Sequence, residues 1–168
     1  KKEYGEPNFE QRDQWKPILK IPMIPSTIEY SVTIAASLSR YFLKLRRSVG
    51  LVSVGHALTL IPSDRGSRQL GKILEALSLL QGEGKLAIEG VVEAQSQNIP
   101  KGSTMVIISP ACGRSVPLAV ETLSRRGFHP IVILLDSKSF GGLPGTHEVA
   151  GILTYMKVQH YIVSEGDD

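Results

Sequence analysis

Apolar residues recur at steps of three and four positions in several parts of this chain, which is the spacing of an amphipathic helix. Ser26 and Glu29 have the spacing of a capping box, in which two side chains satisfy the free amides at a helix start. The pattern predicts a helix from there to about residue 45, and further helices over residues 70–80, 86–97, 115–126 and 147–156. The apolar stripe of the first helix consists of Ile28, Val32, Ala35, Leu38, Phe42 and Leu45.

Short runs of apolar and β-branched residues alternate with these helices, and they predict strands. Residues 49–54 and 56–61 are separated by Gly55 alone, and so tight a connection requires antiparallel pairing. Residues 105–108 and 131–135 are continuous apolar runs, typical of strands covered by helices on both faces, and residues 160–163 form a last strand.

This order of elements predicts a three-layer α/β fold. We expect a mostly parallel sheet between two layers of helices, with right-handed crossovers and with residues 56–61 as an antiparallel edge strand. Residues 26–168 form this single α/β domain. Residues 1–25 are polar and rich in proline, which fixes φ and lacks an N–H donor, so we expect an extended arm there.

The charge of the chain bears on whether it binds nucleic acid. The 168 residues carry a net charge of +3, and the basic residues between Arg40 and Arg47 fit a solvated helix end. No aromatic residues interleave with them, so we expect no nucleic-acid partner.

The single cysteine, Cys112, excludes an internal disulfide and fits a reducing compartment. No apolar run approaches the ~18 residues of a membrane helix. The chain starts at Lys1, and we expect it to be a segment of a longer parent.

The motifs of cofactor enzymes do not occur in this sequence. It has neither a dinucleotide fingerprint nor a phosphate-binding loop with lysine, and its histidines lack zinc-site spacing, so we expect no cofactor.

One strand-to-helix junction offers a candidate ligand site, where residues 105–108 run through Ser109 and Pro110 into the helix that starts at Ser115. Free amides at a helix start favour an anion, and Cys112 and Arg114 are close in sequence. Ser109, Cys112, Arg114 and Ser115 therefore form a candidate anion site or the site of a cysteine-dependent enzyme. The plainer interpretation is a small buried or semi-buried thiol, and ordinary capping of the helix start by Ser115 or water.

Four stretches of the sequence resemble one bacterial family of uncharacterised proteins, domain of unknown function 58. The stretches are PSTIEYSVTIAASLSRYF (25–42), SVGLVSVG (48–55), IPSDRGSRQLGKILEAL (61–77) and VILLDSKSFGG (132–142). The resemblance covers residues 25–142 and implies a von Willebrand factor A-like domain. It also implies a parent anchored by a pair of membrane helices, with this segment in the cytoplasm. Family members are often encoded beside AAA-type ATPases, so such an ATPase is an expected partner.

The resemblance also implies a metal site that this chain lacks. Metal-binding von Willebrand A domains end the first strand in D-x-S-x-S, add a threonine, and end the fourth strand in aspartate, and these oxygens hold Mg²⁺. Here Ser109 and Pro110 occupy the aspartate position, and the loop with Lys85 has no threonine. We therefore expect no metal and no catalysis, and a protein–protein interaction module with a degenerate metal site.

The resemblance finally implies a gap in the sheet. The first strand of the family would lie upstream of residue 1 and would pair between residues 49–54 and residues 105–108. Its loss leaves two unpaired strand edges, which are prone to pair with another chain. We expect another chain, as in a homodimer through these edges, or a rearranged part of the arm to fill the gap.

Overall fold

The structure is a computed structural model that describes residues 26–55, 57–82, 87–110 and 113–167. The predicted arm over residues 1–25 lies outside these ranges, as do His56, Lys85 and Cys112.

Five helices occupy the positions that the apolar periodicity predicts. They are α1 (Thr27–Lys44), α2 (Ser67–Ser78), α3 (Ile88–Gln95), α4 (Ser115–Arg125) and α5 (Thr146–Tyr155). Ser26 is the N-cap of α1, and its hydroxyl accepts a hydrogen bond from the Glu29 amide at 3.3 Å. The third helix is shorter than predicted, because its last turn tightens into a 3-10 helix over Ser96–Asn98.

Five strands alternate with the helices: β1 (Val49–Val54), β2 (Leu58–Asp64), β3 (Thr104–Ser109), β4 (His129–Leu135) and β5 (Gln159–Val163). The predicted bounds of the second strand, residues 56–61, are wrong. β2 begins at Leu58 and continues through Pro62 to Asp64. Proline is tolerated there because an edge strand has one side without ladder hydrogen bonds.

The strands form two sheets. β1 and β2 pair antiparallel, with an irregular register between Val49 and Leu51, and β3, β4 and β5 pair parallel in that order. The predicted α/β class is therefore confirmed, together with its parallel strands and its antiparallel hairpin. One continuous sheet is not formed by the described strands, because no ladder joins β1 to β3.

The main apolar core lies around β4. Leu123 of α4, Val132 and Leu134 of β4, and Leu153 of α5 are fully buried and belong to one cluster. β3 does not follow the prediction that helices cover both faces, since Val106 is 38% exposed. Val106 lines the space between the two sheets, so part of its surface has no neighbour.

The helices pack in two groups. α1 packs against α2, whereas α3 packs against α4 and α4 against α5. α1 also contacts β1, β3 and β4, so it bridges the two sheets.

Candidate functional site

The candidate site is the space between β1 and β3, which we call the interstrand cleft. It has a volume of about 530 Å³, within the range of roughly 300–1,000 Å³ typical of ligand sites. Strand edges form two of its sides, with Leu51 on β1 and Val106 on β3. Helices form the other two.

Both groups of helices contribute to the walls of the interstrand cleft. Ile28 of α1 and Leu77 of α2 line it from one group. Val92 of α3 and Val116 of α4 line it from the other group. The space is therefore a slot between two strand edges and the two groups of helices.

The start of α1 lies beside the end of β3. Thr27 of α1 and Pro110, which follows β3, line one depression of about 400 Å³ that also includes Phe140 and Leu143. Thr27 and Pro110 line the interstrand cleft as well, so this depression forms its mouth.

The end of β1 lies at the same side of the protein. A Cβ atom on Gly55, which follows β1, would lie 2.8 Å from the carbonyl oxygen of Gln81. A Cβ atom on Gly82 would lie 3.5 Å from Cδ1 of Ile28, in the first turn of α1. Since β1 and β3 both end near the start of α1, the two strands run in the same direction along the interstrand cleft.

The lining of the interstrand cleft is uncharged. Among the described residues that line it, there is no lysine, arginine, histidine, aspartate or glutamate. An ion transferred into such surroundings would lose its hydration without gaining a charged side chain as partner. The lining therefore selects against cations.

Ser53 is a polar residue inside this apolar lining. It lies on β1, is 8% exposed, and its buried Oγ has no hydrogen-bond partner within the described part of the chain. A buried hydroxyl without a partner costs ~1–3 kcal/mol. The hydroxyl of Ser53 is thus available to an occupant of the interstrand cleft.

The structure describes three of the four residues of the site that was predicted at the strand-to-helix junction. Ser109, the last residue of β3, and Ser115, the first residue of α4, are half-buried and line the end of the interstrand cleft. Arg114 is exposed and occupies the N-cap position of α4. Cys112 lies outside the described residues, so its part in this site is untested.

Ser115 belongs to the first turn of α4, and the N-cap residue Arg114 makes no side-chain capping hydrogen bond. Capping by Ser115 or water, the plainer interpretation of that junction, stays a prediction. The helix begins from a backbone already in the right-handed helical region at Arg114.

Neither a metal cluster nor a membrane helix occurs in the described ranges. No group of three or more histidine, cysteine, aspartate or glutamate residues converges there. No helix in those ranges combines the length and apolar character needed to cross a bilayer.

The sequence predicted the two strands whose edges border the interstrand cleft. It did not predict which residues of the helices form the other walls. Ser53 and Val92 become neighbours of one space only through tertiary packing. Two weak features of the sequence could have indicated these residues. One is a serine within the apolar run of residues 49–54, and the other is an apolar stripe on the third helix.

No family model and no curated protein matches this chain. Among solved structures, it is similar to a crystal structure of an uncharacterised membrane-spanning protein from Vibrio fischeri, with 17% identity and a TM-score of 0.27. The alignment covers 81% of this chain and 78% of that one. A similarity this distant carries no argument about the function of the chain.

Proposed function

We propose that this chain is a non-catalytic protein–protein interaction module that binds a polypeptide in the interstrand cleft. The observation that supports this proposal is an uncharged cleft of about 530 Å³ between two strands that do not pair with each other. Unpaired strand edges bind polypeptide through main-chain hydrogen bonds, a recurring mode of peptide recognition.

The chemistry of the lining favours a polypeptide over other ligands. Nucleotides and nucleic acids are held by lysine, arginine and helix amides at their phosphates, and the described lining has no cationic side chain. A metal ion requires several converging oxygen or nitrogen ligands, and the lining has no carboxylate or imidazole. An uncharged apolar peptide segment satisfies both conditions.

The resemblance to domain of unknown function 58 supplies a wider setting for the proposal. In that setting the chain is a degenerate von Willebrand factor A-like domain without a metal site. It lies on the cytoplasmic side of a parent anchored in the inner membrane, and an AAA-type ATPase is its partner.

The alternative function, a small-anion binder or a cysteine-dependent enzyme, gains little support from the described residues. Ser109 and Ser115 line the uncharged interstrand cleft, while Arg114 is exposed at the N-cap of α4.

Peptide binding measured by fluorescence polarisation tests the proposal. We would use three labelled peptides of equal length: one uncharged and apolar, one acidic, and one that forms an amphipathic helix. We expect the uncharged peptide to bind and the acidic peptide not to bind, because a carboxylate in the interstrand cleft would have no partner.

A matched pair of variants locates the binding. Val106→Lys places a cation at the interstrand cleft, and because Val106 is 38% exposed the free protein tolerates it. Leu118→Lys makes the same change at a 46% exposed position of α4 that does not line the interstrand cleft. We expect Val106→Lys to weaken binding about tenfold or more and Leu118→Lys to leave it unchanged. Equal loss in both variants, or no binding by any of the three peptides, contradicts the proposed function.

A further inference from the structure

Several connections of the chain meet at one end of the protein and carry exposed cations. β3, β4 and β5 are parallel, β1 runs in the direction of β3, and the end of β2 pairs with the start of β1. The connections that lead into β1, β3 and β5, and the turn between β2 and α2, therefore lie at the same end. We call this surface the basic end, and its exposed cations are Arg46, Arg47, Arg65, Arg68, Lys101 and Lys157.

The positive charge of the basic end is not neutralised within the described part of the chain. Nε of Arg65 donates to Oγ of Ser48 at 3.0 Å, so Arg65 lies beside the connection that contains Arg47. None of the six cations forms an ion pair with a described carboxylate. The nearest acid in the sequence, Asp64, accepts a hydrogen bond from the backbone amide of Arg65 rather than from its guanidinium. Unpaired cations on one surface attract an anionic partner.

The stability of the fold does not explain why cations occupy all of these positions. Arg46 and Lys157 follow the ends of α1 and α5, where the helix dipole stabilises a cation. Arg65 and Arg68 lie at the start of α2, where the dipole is unfavourable to a cation and the first turn contains no acid. Arg46 also has a φ of 58°, a left-handed conformation in which glycine costs less.

Exposed apolar side chains accompany the cations of the basic end. Tyr41 and Leu45, at the end of α1, are 58% and 54% exposed, and Tyr155, the last residue of α5, is 89% exposed. The expectation that no aromatic residue interleaves with the basic residues of 40–47 is wrong, because Tyr41 and Phe42 lie among them. Side chains with an apolar body and a polar tip are enriched where lipid headgroups meet water.

We propose that the basic end binds the surface of an anionic lipid bilayer. The cations lie among the lipid phosphates in this arrangement, and Tyr41, Leu45 and Tyr155 reach the boundary between headgroups and acyl chains. This inference goes beyond the proposed function, because none of these residues lines the interstrand cleft or its mouth.

The arrangement of the basic end favours a bilayer over a nucleic acid. Its cations lie on connections that extend from the hairpin to β5, across both sheets, and a lipid surface contacts all of them at once. The rings of Tyr41 and Phe42 pack edge to face, with an interplanar angle of 76°, so they offer no parallel platforms to successive bases. Leu45 gains nothing from a phosphate, whereas burial of its side chain among acyl chains is favourable.

Sedimentation of the 168-residue chain with lipid vesicles tests the inference. One type of vesicle consists of phosphatidylcholine, and the other of equal parts of phosphatidylcholine and phosphatidylglycerol. We expect binding to the anionic vesicle alone. Between ~0.1 M and ~1 M salt the screening length falls from about 10 Å to about 3 Å, so binding should fall about tenfold or more. Equal binding to both vesicles, or binding to neither, overturns the inference.

A matched pair of charge variants locates the contact. Arg47→Gln and Lys138→Gln each remove one exposed cation, but Lys138 lies in the loop after β4, at the opposite end of the strands. We expect Arg47→Gln to weaken binding to the anionic vesicle about fivefold and Lys138→Gln to leave it unchanged. Equal losses in the two variants would mean that the net charge alone causes the binding, and the inference would be wrong.

Arg46→Gly separates binding from folding. Glycine adopts a φ of 58° without steric cost, so the melting temperature should change little, while binding to the anionic vesicle should fall about fivefold. Lys157→Gly makes the same change at a φ of 57°, on the connection into β5, and we expect the same result. Full binding by both variants contradicts the inference.

The apolar contribution distinguishes a bilayer from other polyanions. Leu45→Ser removes a 54% exposed side chain at the basic end, and Leu118→Ser removes a 46% exposed one on α4. We expect Leu45→Ser to weaken binding to the anionic vesicle about fivefold, and Leu118→Ser to leave it unchanged. Unchanged binding by Leu45→Ser overturns the inference. So does displacement of the chain from the vesicle by a single-stranded oligonucleotide or an acidic peptide at equal charge concentration, which identifies a nucleic acid or a protein as the ligand.

Discussion

Helices α1 and α4 differ in how much of their surface the rest of the protein covers. α4 has 11 residues and buries five of them: Val116, Pro117, Ala119, Val120 and Leu123. α1 has 18 residues and an apolar stripe of ordinary length, yet the only residue it buries among those described is Ser39. Amphipathicity therefore does not by itself give burial, because a helix also needs a complete sheet beneath it.

Two neighbouring strands of the parallel sheet, β4 and β3, also differ in how much of their side chains is buried. β4 has a partner on each edge, and its Val132, Leu134 and Leu135 are fully buried. β3 has one strand partner among the described residues, and its Val106 remains 38% exposed. We call β3, β4, β5, α3, α4 and α5 the packed half, and α1, β1, β2 and α2 the open half. The interstrand cleft lies where they meet.

The largest expected effect is a difference between two leucine-to-alanine variants. Leu134→Ala, in the packed half, removes a fully buried side chain and should lower the free energy of unfolding by ~2–5 kcal/mol. Leu51→Ala, on β1, removes a half-buried side chain that already borders empty space, and we expect a loss of under ~1.5 kcal/mol. Urea unfolding measures both. Leu143→Ala, at a 75% exposed position, is the control and should change little. Equal losses at Leu134 and Leu51 would show that the interstrand cleft is closed in solution.

These two halves also show what sequence can predict. The start of α1 at Ser26 is fixed by a local hydrogen bond, and the end of β4 at Leu135 follows from a continuous apolar run, so both follow from local sequence. The start of β4 at His129 lies two residues before that run and was not predicted. The end of β2 does not, because Pro62 is compatible with a strand only at an edge, and edge position is a property of the whole sheet. The strand edges of the candidate site were predictable, whereas its walls depend on which helices pack together.

The open half relies on a polar contact where the packed half relies on apolar ones. Gln69 of α2 is 1% exposed, and its Nε2 donates to the carbonyl oxygens of Val49 at 2.7 Å and Pro62 at 2.8 Å. These bonds hold the two ends of the hairpin against α2. Gln69→Leu leaves both carbonyls without this donor, and we expect the free energy of unfolding to fall by ~1–3 kcal/mol.

Gln97→Leu is the matched control for that prediction, because Gln97 is exposed in the 3-10 turn. Thermal unfolding followed by circular dichroism compares the two variants. Similar melting temperatures for both would mean that the hairpin is held by its ladder alone.

A smaller effect is expected at the wall of the interstrand cleft that belongs to the packed half. Nη1 of Arg126 donates to the carbonyl oxygen of Glu93 at 3.0 Å and to the hydroxyl of Ser96, which ties the end of α4 to α3. Arg126→Met should cost about 1 kcal/mol, since these bonds are partly exposed to water. Arg125→Met is the control, because Arg125 makes a surface ion pair with Glu121 that should contribute under ~0.5 kcal/mol. Denaturant unfolding measures the free energy of unfolding of both variants. A larger loss in Arg125→Met than in Arg126→Met would contradict the role of Arg126 in holding α4 against α3.

The smallest effect tests whether the two halves unfold together. Gly71 in α2 and Gly151 in α5 are exposed interior helix positions, and a Cβ atom added at either would meet nothing within 4 Å. Replacement by alanine should stabilise each helix by about 0.5–1 kcal/mol, because alanine loses less conformational freedom on folding.

The two variants should differ in which measurement shows the added stability: global unfolding or local amide exchange. Gly151→Ala should raise the free energy of global unfolding, because α5 packs on the main core. If the open half opens by itself, Gly71→Ala should slow amide exchange in α2 and in the hairpin while leaving global unfolding almost unchanged. Identical gains in global stability for both variants would instead show that the halves already fold as one.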